Sequence, residues 1–272
     1  MIISRTIADE NINLFRIMPL ERFLQMLYTM QSVLVHPSAW DDPYERIVQK
    51  SLLYVKNLGT KTYRFFDDKL WFGQCWSYNQ ESDALWRVFS NAKLSRSVKI
   101  KTTSDLLKAS LSRISQNKIL FLEKVQYAKQ AEGEDNIRKV ISDCIKNYWL
   151  RGITNYGDLL KNDIFRDDTQ VEAVPMLLTK RKCFESEHEV RLILYSQEQL
   201  KEDVFCYDIP EMGRFIEEVE LDPWTPKGVG NVIRDIVRHY IPGVNIPVYT
   251  SGLYKPIDHG LYYAINHSDI SL

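Results

Sequence analysis

The 272-residue chain lacks the features that would place it in several common classes of protein. Its four cysteines never stand in a CxxC spacing, which argues against a structural zinc site. No apolar run approaches the ~20 residues that span a bilayer. The N-terminal stretch MIISRTIADENINLF is too interrupted by charge to be a secretion signal. Isolated thiols without such a signal predict a protein of the reducing cytoplasm that has no membrane association.

The familiar catalytic signatures are also missing. The sequence has no glycine-rich phosphate loop, no GxSxG and no HExxH, and its five histidines form no cluster. The net charge of -1 gives no overall basic field that would attract nucleic acid or an anionic membrane. We therefore expect no bound metal, and we look for function in less familiar combinations of residues.

What the chain does have is the composition of a globular domain, with 44% apolar, 26% charged and 12% aromatic residues. Strand-like and helical periodicities follow one another without a repeat or a Pro/Gly/Ser linker. Because they do not alternate strictly as β-α-β, the sequence predicts one α+β domain over residues 1–263. Its core is expected to be a mixed, mostly antiparallel sheet with flanking helices. Residues 264–272 are predicted to be a polar tail.

The stretch KCFESEHEVRLILY, residues 182–195, has the most unusual pattern. As a strand it would place Glu185, Glu187, Glu189 and Arg191 on one face and Val190, with other apolar residues, on the opposite face. A row of carboxylates on a sheet is costly unless it faces water, an arginine or a ligand cation. A glutamate in a cleft could stabilise a developing positive charge. Alternatively, Glu189 and Arg191 are structural partners of other charged residues.

Three further segments supply candidate site residues. Arg16, within the strand pattern NLFRIMP, could hold an anionic group in bidentate fashion or lie on a solvated face. The turn AWDDPYE offers Asp42 and Glu45 to a cation or to an arginine. The segment CWSYNQESDALWR joins a strand end to a capped helix start, which suits a planar ring beside an anion, or else core tryptophans and a cap. Its candidate residues are Trp76, Ser77, Trp86 and Arg87.

Together these segments resemble a large, mostly bacterial family known only as a domain of unknown function, numbered twenty-nine seventy-one. The similar stretches extend over about residues 12–256. In order, they are LFRIMPLERFLQML, SAWDDPYE, FGQCWSYNQESDALWRVFS, KRKCFESEHEVRLI, VELDPW and SGLYKP. Two positions depart from the family pattern, since Trp40-Asp41 stands where many relatives have Phe-Asn and Phe89 where many have Tyr. The resemblance implies a family but no activity.

A more distant similarity connects the chain with ADP-ribosyltransferases. In that family a basic residue on the first strand holds NAD, and an aromatic ring stacks on nicotinamide. A glutamate, often in Glu-x-Glu, begins a later strand and stabilises the ribose cation. Arg16, Ser77 and the pair Glu187 and Glu189 occur in that order in this chain.

This similarity implies an NAD-using enzyme of a bacterial toxin or phage-defence system. Glu189, with Glu187 beside it, would be catalytic. The substrate would be a small-molecule nucleotide, and the acceptor a protein or a nucleic acid. The residues expected to contact NAD are Arg16, Trp76, Ser77, Trp86 and Arg87.

Two other functions fit the same residues. A non-catalytic sensor or interaction domain would use them as a buried ion-pair network. A metal-dependent nuclease would build its site on Asp42, Glu45 and Glu189. An open cleft beside an unpaired Glu189 would favour the transferase, and a closed network without a cavity would favour the sensor. The network would comprise Arg16, Asp42, Glu45, Arg87, Glu189 and Arg191.

Overall fold

The structure is a computed structural model that describes most of the chain. The described residues are 2–7, 10–46, 52–54, 62–64, 68–90, 96–114, 118–150, 170–196, 198, 200 and 202–255. The predicted tail, residues 264–272, and the predicted end of the domain lie outside them. The division into one domain and a tail therefore stays a prediction.

Within these ranges the chain forms fourteen strands and seven α-helices. The strands are β1 (Ile2–Ile3), β2 (Asn13–Pro19), β3 (Gln31–Val35), β4 (Leu52–Tyr54), β5 (Thr62–Arg64), β6 (Trp71–Ser77), β7 (Ser97–Thr103), β8 (Lys118–Lys124), β9 (Gln126–Ala128), β10 (Thr179–Arg181), β11 (Glu189–Ser196), β12 (Val204–Asp208), β13 (Glu218–Leu221) and β14 (Val248–Thr250). The helices are α1 (Leu20–Thr29), α2 (Asp83–Phe89), α3 (Ser104–Ser110), α4 (Gln130–Leu150), α5 (Gln170–Leu177), α6 (Met212–Phe215) and α7 (Lys227–Tyr240).

Local sequence explains where several helices begin and end. Pro19 precedes α1 and has the fixed φ that suits entry into a helix, and Met30 ends α1 in the left-handed region at φ 53°. The side chain of Ser82 accepts a hydrogen bond from the backbone of Leu85 and so caps α2. Thr103 caps α3 in the same way. The Ser82 cap begins α2 a short turn after β6, as the sequence pattern predicts.

The main sheet is mixed and mostly antiparallel, as the sequence predicts. Its order is β1-β8-β11-β6-β2-β7-β13-β14, and β3 joins it at β6 and carries β12. The β1–β8 and β13–β14 pairs are parallel, whereas β8–β11, β11–β6, β2–β7 and β7–β13 are antiparallel. Helices flank this sheet, so the predicted α+β architecture is confirmed.

Strand β6 is where the sheet opens. It pairs with β2 only at Phe15–Ser77 and with β3 only at Val35–Gly73. Between those two points the edge of β6 has no continuous backbone ladder to either neighbour. The opening is bridged by side chains instead, and this is the feature that creates a cleft.

The alternation along β11 is confirmed from Glu189 onward. Val190, Leu192 and Leu194 belong to one hydrophobic core, whereas Ile193 and Tyr195 belong to a second core on the opposite face, where Glu189 and Arg191 also lie.

Upstream of Glu189 the strand prediction is wrong. Lys182–Glu187 is a 3-10 helix, and His188 has a left-handed φ of 45° that ends it. Glu185 and Glu187 therefore do not extend a strand-borne row of carboxylates.

No helix in the described part of the chain is both long enough and apolar enough to cross a membrane.

Candidate functional site

A cavity of about 820 Å³ lies beside the opening of the sheet. This volume is within the range of pockets that hold small-molecule ligands. Its walls include residues of β2, β3 and β6, the AWDDPYE turn and the 3-10 helix before β11. Nine of the ten sequence-predicted site residues line it: Arg16, Asp42, Glu45, Trp76, Ser77, Trp86, Glu187, Glu189 and Arg191.

Arg16 and Glu189 reach this cavity from different faces of the sheet. Arg16 lies on the same face of β2 as Leu14 and Met18, which belong to the first core. Glu189 lies on the opposite face, that of the second core. Opposite faces count against a single NAD site built from both side chains, since backbone would separate them in a continuous sheet. Because β6 and β2 share a single paired position, the cavity at the opening is lined by both.

Glu189 is not the unpaired cleft carboxylate that the transferase hypothesis expects. It is 3% exposed, and its oxygens accept hydrogen bonds from Arg191 Nε at 2.8 Å and Nη2 at 3.0 Å. A third bond comes from Lys180 Nζ at 3.2 Å. Burial by itself raises the pKa of Glu189, but the charge and hydrogen bonds of Arg191, with the charge of Lys180, outweigh it and lower the pKa to about 2.

Arg191 is the centre of this cluster. Its guanidinium donates to Glu189, to Glu45 and, from Nη1, to the carbonyl of Leu177 at 2.6 Å. The ring of Trp40 covers the guanidinium, with 4.2 Å between Arg191 Cζ and the ring centroid. Arg191 is 1% exposed, so its charge depends on these partners rather than on water.

Glu187 is the more accessible glutamate of the pair. Its side chain is 23% exposed, and its one ion pair among the described residues is with Lys180, whose Nζ lies 2.5 Å from Oε2. Burial raises the pKa of Glu187, and the hydrogen bond and charge of Lys180 oppose that rise. Of the three glutamates that line the cavity, Glu187 is therefore the one most accessible to a ligand.

The cluster has more carboxylates than cations. Glu45, Glu187 and Glu189 share the two cations Lys180 and Arg191. With all five groups ionised, this wall of the cavity carries one net negative charge. Burial raises the pKa of Glu45 as well, and the charges of Arg191 and Lys180 oppose that rise.

The AWDDPYE turn is an arginine-paired structural turn. Asp42 accepts hydrogen bonds from Arg181 Nη2 at 2.7 Å and Nε at 3.2 Å. It also accepts one from the backbone of Tyr44 at 3.0 Å, which fixes the turn itself. The turn thereby places Trp40 and Glu45 in contact with Arg191.

The packing of Trp40 requires a glycine on β6. A Cβ added to Gly73 would lie 2.5 Å from Trp40 Cζ2. We expect Gly73→Ala to destabilise the protein by about 1–3 kcal/mol because the ring over Arg191 has to move. Denaturant unfolding measures this, and Gly228→Ala is the matched control, since a Cβ there meets nothing within 4 Å. Equal stability of the two variants would contradict the account.

Arg16 has no carboxylate partner among the described residues. Its Nη1 reaches Ser32 Oγ at 3.4 Å, and its Cζ lies 5.9 Å from the ring centroid of Trp76. Burial lowers the pKa of Arg16, an effect that the surrounding ionisable groups only partly oppose. A buried cation without a counter-ion is suited to an anionic ligand.

The two tryptophans that were expected to contact nicotinamide are both buried. Trp76 and Trp86 are 2% and 1% exposed, and Trp76 Nε1 donates to Gln74 Oε1 at 2.8 Å. Both tryptophans line the cavity with little of their surface exposed, and stacking of one of them on nicotinamide stays a prediction. Burial in the core, the alternative drawn from sequence, accounts for both.

Ser77 lines the cavity but acts on the backbone. Its Oγ donates to the carbonyl of Glu187 at 2.7 Å and accepts from the backbone of Asn79 at 3.0 Å. It thus holds the 3-10 helix against the end of β6, and so fixes the position of the Glu187 backbone.

Arg87 is the predicted site residue that lies elsewhere. Its side chain is 62% exposed on α2 and forms an i,i+4 ion pair with Asp83 and a contact with Tyr254. Its place in a buried network is therefore wrong, and because it does not line the cavity the geometry gives no support to its assignment to NAD binding. The Asp83–Arg87 spacing is a signal that could have indicated a surface pair.

Sequence reasoning missed two residues that the structure brings to the site. Lys180, on β10, contacts all three glutamates of the cluster. Phe184 is half-buried, lines the cavity and packs against Lys180 and Arg181. The basic stretch KRK just before the glutamates was the available signal for Lys180.

Within the described ranges, no three His, Cys, Asp or Glu side chains are grouped so as to hold a metal ion. The carboxylates proposed for a nuclease site are instead paired with cations, Asp42 with Arg181 and Glu45 and Glu189 with Arg191. The nuclease hypothesis therefore finds no support in this geometry.

No protein-family model matches the chain, and no curated protein matches it. The resemblance to the family of unknown function is therefore unsupported. Solved structures of DarT from Thermus sp. 2.9 are similar, with TM-scores of 0.34–0.36. The complex with NAD+ is 10% identical and covers 89% of this chain and 95% of that chain. The complex with ADP-ribosylated ssDNA is 9% identical and covers 91% and 97%. At such TM-scores, the geometry of this chain has to carry any conclusion about function.

Proposed function

We propose that the protein is an NAD-using, ADP-ribosyltransferase-like enzyme whose substrate lies in the cavity beside β2, β3 and β6. NAD+ carries an anionic pyrophosphate in its middle and a positively charged nicotinamide ring at one end. The cavity provides complementary charges, since Arg16 has no ion-pair partner among the described residues and the glutamate cluster carries an excess negative charge. The presence of both in one cavity is the observation that supports the proposal.

Glu187 takes the catalytic role in this proposal, and Glu189 supports it. The bond between the ribose carbon and nicotinamide breaks with its electrons leaving on nicotinamide, and positive charge develops on that carbon. A carboxylate fixed nearby stabilises such charge most strongly where water is excluded. Glu187 is accessible from the cavity and has one Lys partner, whereas Glu189 is enclosed by Arg191 and Lys180. The acceptor then attacks the same carbon.

The anionic end of the substrate belongs to Arg16. Its guanidinium would hold the pyrophosphate, and Phe184, half-buried in the cavity wall, is an aromatic ring that could contact a planar group. A protein or nucleic-acid acceptor, and a toxin or phage-defence role in the bacterial cytoplasm, stay predictions that follow from the same activity.

Replacing the unpaired arginine tests substrate binding. We expect Arg16→Gln to raise the KM for NAD+ by about 10- to 150-fold, since a charge-assisted hydrogen bond contributes about 1.5–3 kcal/mol. Nicotinamide release, followed by chromatography, provides KM and kcat. Arg87→Gln is the matched control, because that arginine is exposed and outside the cavity. An unchanged KM in Arg16→Gln would contradict the assignment.

A non-catalytic sensor domain is the second candidate. The observation in its favour is the enclosed pairing of Arg191 with Glu189 and Glu45, which fixes the turn against the sheet. A sensor would bind a nucleotide in the cavity and release it unchanged. Calorimetric binding of NAD+ without any nicotinamide release would favour this function over the enzyme.

A further inference from the structure

Lys180 contacts every carboxylate of the cluster. Its Nζ lies 2.5 Å from Glu187, 3.2 Å from Glu189 and 3.7 Å from Glu45, and its side chain is 10% exposed. It lines the cavity together with these glutamates. No other lysine or arginine of the described residues contacts Glu187.

Lys180 is fixed by its strand and by a neighbouring ring. Lys180 lies in the middle of β10, opposite Tyr127 of the parallel strand β9. The ring centroid of Phe184 is 5.0 Å from its Nζ. Tyr127 in turn accepts a hydrogen bond from the backbone of Glu189 at 2.8 Å, so β9, β10 and the start of β11 are joined at this point.

We propose that Lys180 is the positioning residue that keeps the Glu187 carboxylate ionised and directed into the cavity. The catalytic importance of Lys180 rests on the proposed function, whereas its ion pairs with the three glutamates do not. Without Lys180, burial and the like charges of Glu45 and Glu189 would all oppose ionisation of Glu187. Arg191 could not substitute, because its guanidinium is already engaged by Glu189, Glu45 and the Leu177 carbonyl.

The surrounding groups decide what Lys180 itself can do. Burial alone would lower the pKa of Lys180, but the charges of Glu189, Glu45 and Glu187 outweigh it and raise the pKa well above its ordinary value. The other titratable or charged groups at the cluster are Arg191 of β11, Cys75 of β6, Tyr127 of β9, and the Arg181–Asp42 pair. Lys180 is therefore a permanent cation, so it acts through Glu187 rather than as a base or nucleophile.

The test is a direct titration of Glu187. Protein labelled with ¹³C at the glutamate side-chain carboxyl is followed by NMR from acid to neutral pH, and the Glu187 signal is assigned by its loss in Glu187→Gln. We expect Lys180→Gln to raise the titration midpoint of Glu187 by about 1–3 pH units, the effect of removing a close opposite charge. Lys180→Arg keeps the charge and should titrate near the wild type.

Lys182→Met provides the control. Lys182 follows Lys180 by two residues, is exposed and does not line the cavity. A Glu187 midpoint that is the same in Lys180→Gln as in the wild type would overturn the inference. Should Lys180→Gln fail to fold, Lys180→Met is the second variant, because it removes the charge and keeps an unbranched apolar side chain in the buried site. The same upward shift is expected in that variant, and its absence would overturn the inference.

Activity supplies a second, separable readout. In Lys180→Gln the acidic limb of kcat for nicotinamide release should move to higher pH by the same amount, with KM for NAD+ little changed. If folded wild-type protein released no nicotinamide, the proposed function would fail, while the NMR titration would still decide the role of Lys180. Nicotinamide release with an unshifted acidic limb would leave the proposed function standing and overturn the inference.

Discussion

Glu189→Gln is expected to destabilise the folded protein by about 3 kcal/mol. Removing one partner of a buried ion pair typically costs about 3–5 kcal/mol. The lower end applies here because Arg191 keeps Glu45 as a partner. For a chain of this size, a loss of about 3 kcal/mol lowers Tm by roughly 6–12 °C. Thermal unfolding followed by circular dichroism measures the shift.

The pH dependence of that loss follows from the sign of the pKa shift. The charges and hydrogen bonds of Arg191 and Lys180 lower the folded-state pKa of Glu189 to about 2 from its ordinary value of 4.5. Its ionisation therefore contributes stability that is fully present above pH ~5 and is lost as the pH falls toward 2. The difference between wild type and Glu189→Gln should be constant near neutral pH and shrink in acid.

Glu185→Gln is the matched control for this measurement. Glu185 is exposed in the same 3-10 helix, forms no ion pair among the described residues and does not line the cavity. Its replacement should change Tm by less than about 2 °C. A Glu189→Gln protein as stable as this control would show that Glu189 is not held by Arg191, and would return it to the role of a free cleft carboxylate.

Glu187→Gln is expected to have the opposite profile, with a large loss of activity and little loss of stability. The kcat for nicotinamide release should fall by about 10²–10³-fold, the usual effect of removing one electrostatic stabiliser of a transition state. Stability should change by less than about 1 kcal/mol, because Glu187 is partly exposed and Lys180 keeps Glu189 and Glu45 as partners. Removing the excess carboxylate also relieves like-charge repulsion in the cluster.

Steady-state kinetics on Glu187→Gln and the Glu185→Gln control separate these effects. Glu185→Gln should retain the wild-type kcat. If Glu189→Gln lost all activity while remaining as stable as wild type, and Glu187→Gln stayed active, the division of roles between the two glutamates would be reversed.

The fold could be predicted from the sequence wherever periodicity is clear. The strand at Arg16, the helix after Pro19 and the strand ending at Ser77 all follow from alternation and capping signals, and β2, α1 and β6 match them. The face shared by Glu189 and Arg191 was also predicted correctly, because strand alternation fixes it.

The local structure before Glu189 could not be predicted in the same way. Glu-x-Glu spacing is compatible with a strand, and the residue that ends the 3-10 helix, His188 at φ 45°, is neither Gly nor Asn. Register then decides which charges meet, since Glu189 pairs with Ser77 only once β11 has found β6. The convergence of Lys180, Glu45 and Arg191 depends on long-range packing that no local pattern contains.

The tryptophans illustrate a different limit. A large aromatic residue at a strand-to-helix junction fits a core or a ligand wall equally well in sequence. In the structure Trp76 and Trp86 are buried and still line the cavity, whereas Phe184 lines it from a half-buried position.

The most direct test of the central claim is to incubate the purified wild-type protein with NAD+ and measure free nicotinamide over time by chromatography. The account predicts release in proportion to protein concentration, lost in Glu187→Gln and retained in Glu185→Gln. Absence of nicotinamide release from folded protein, with protein and nucleic-acid acceptors both supplied, would contradict it.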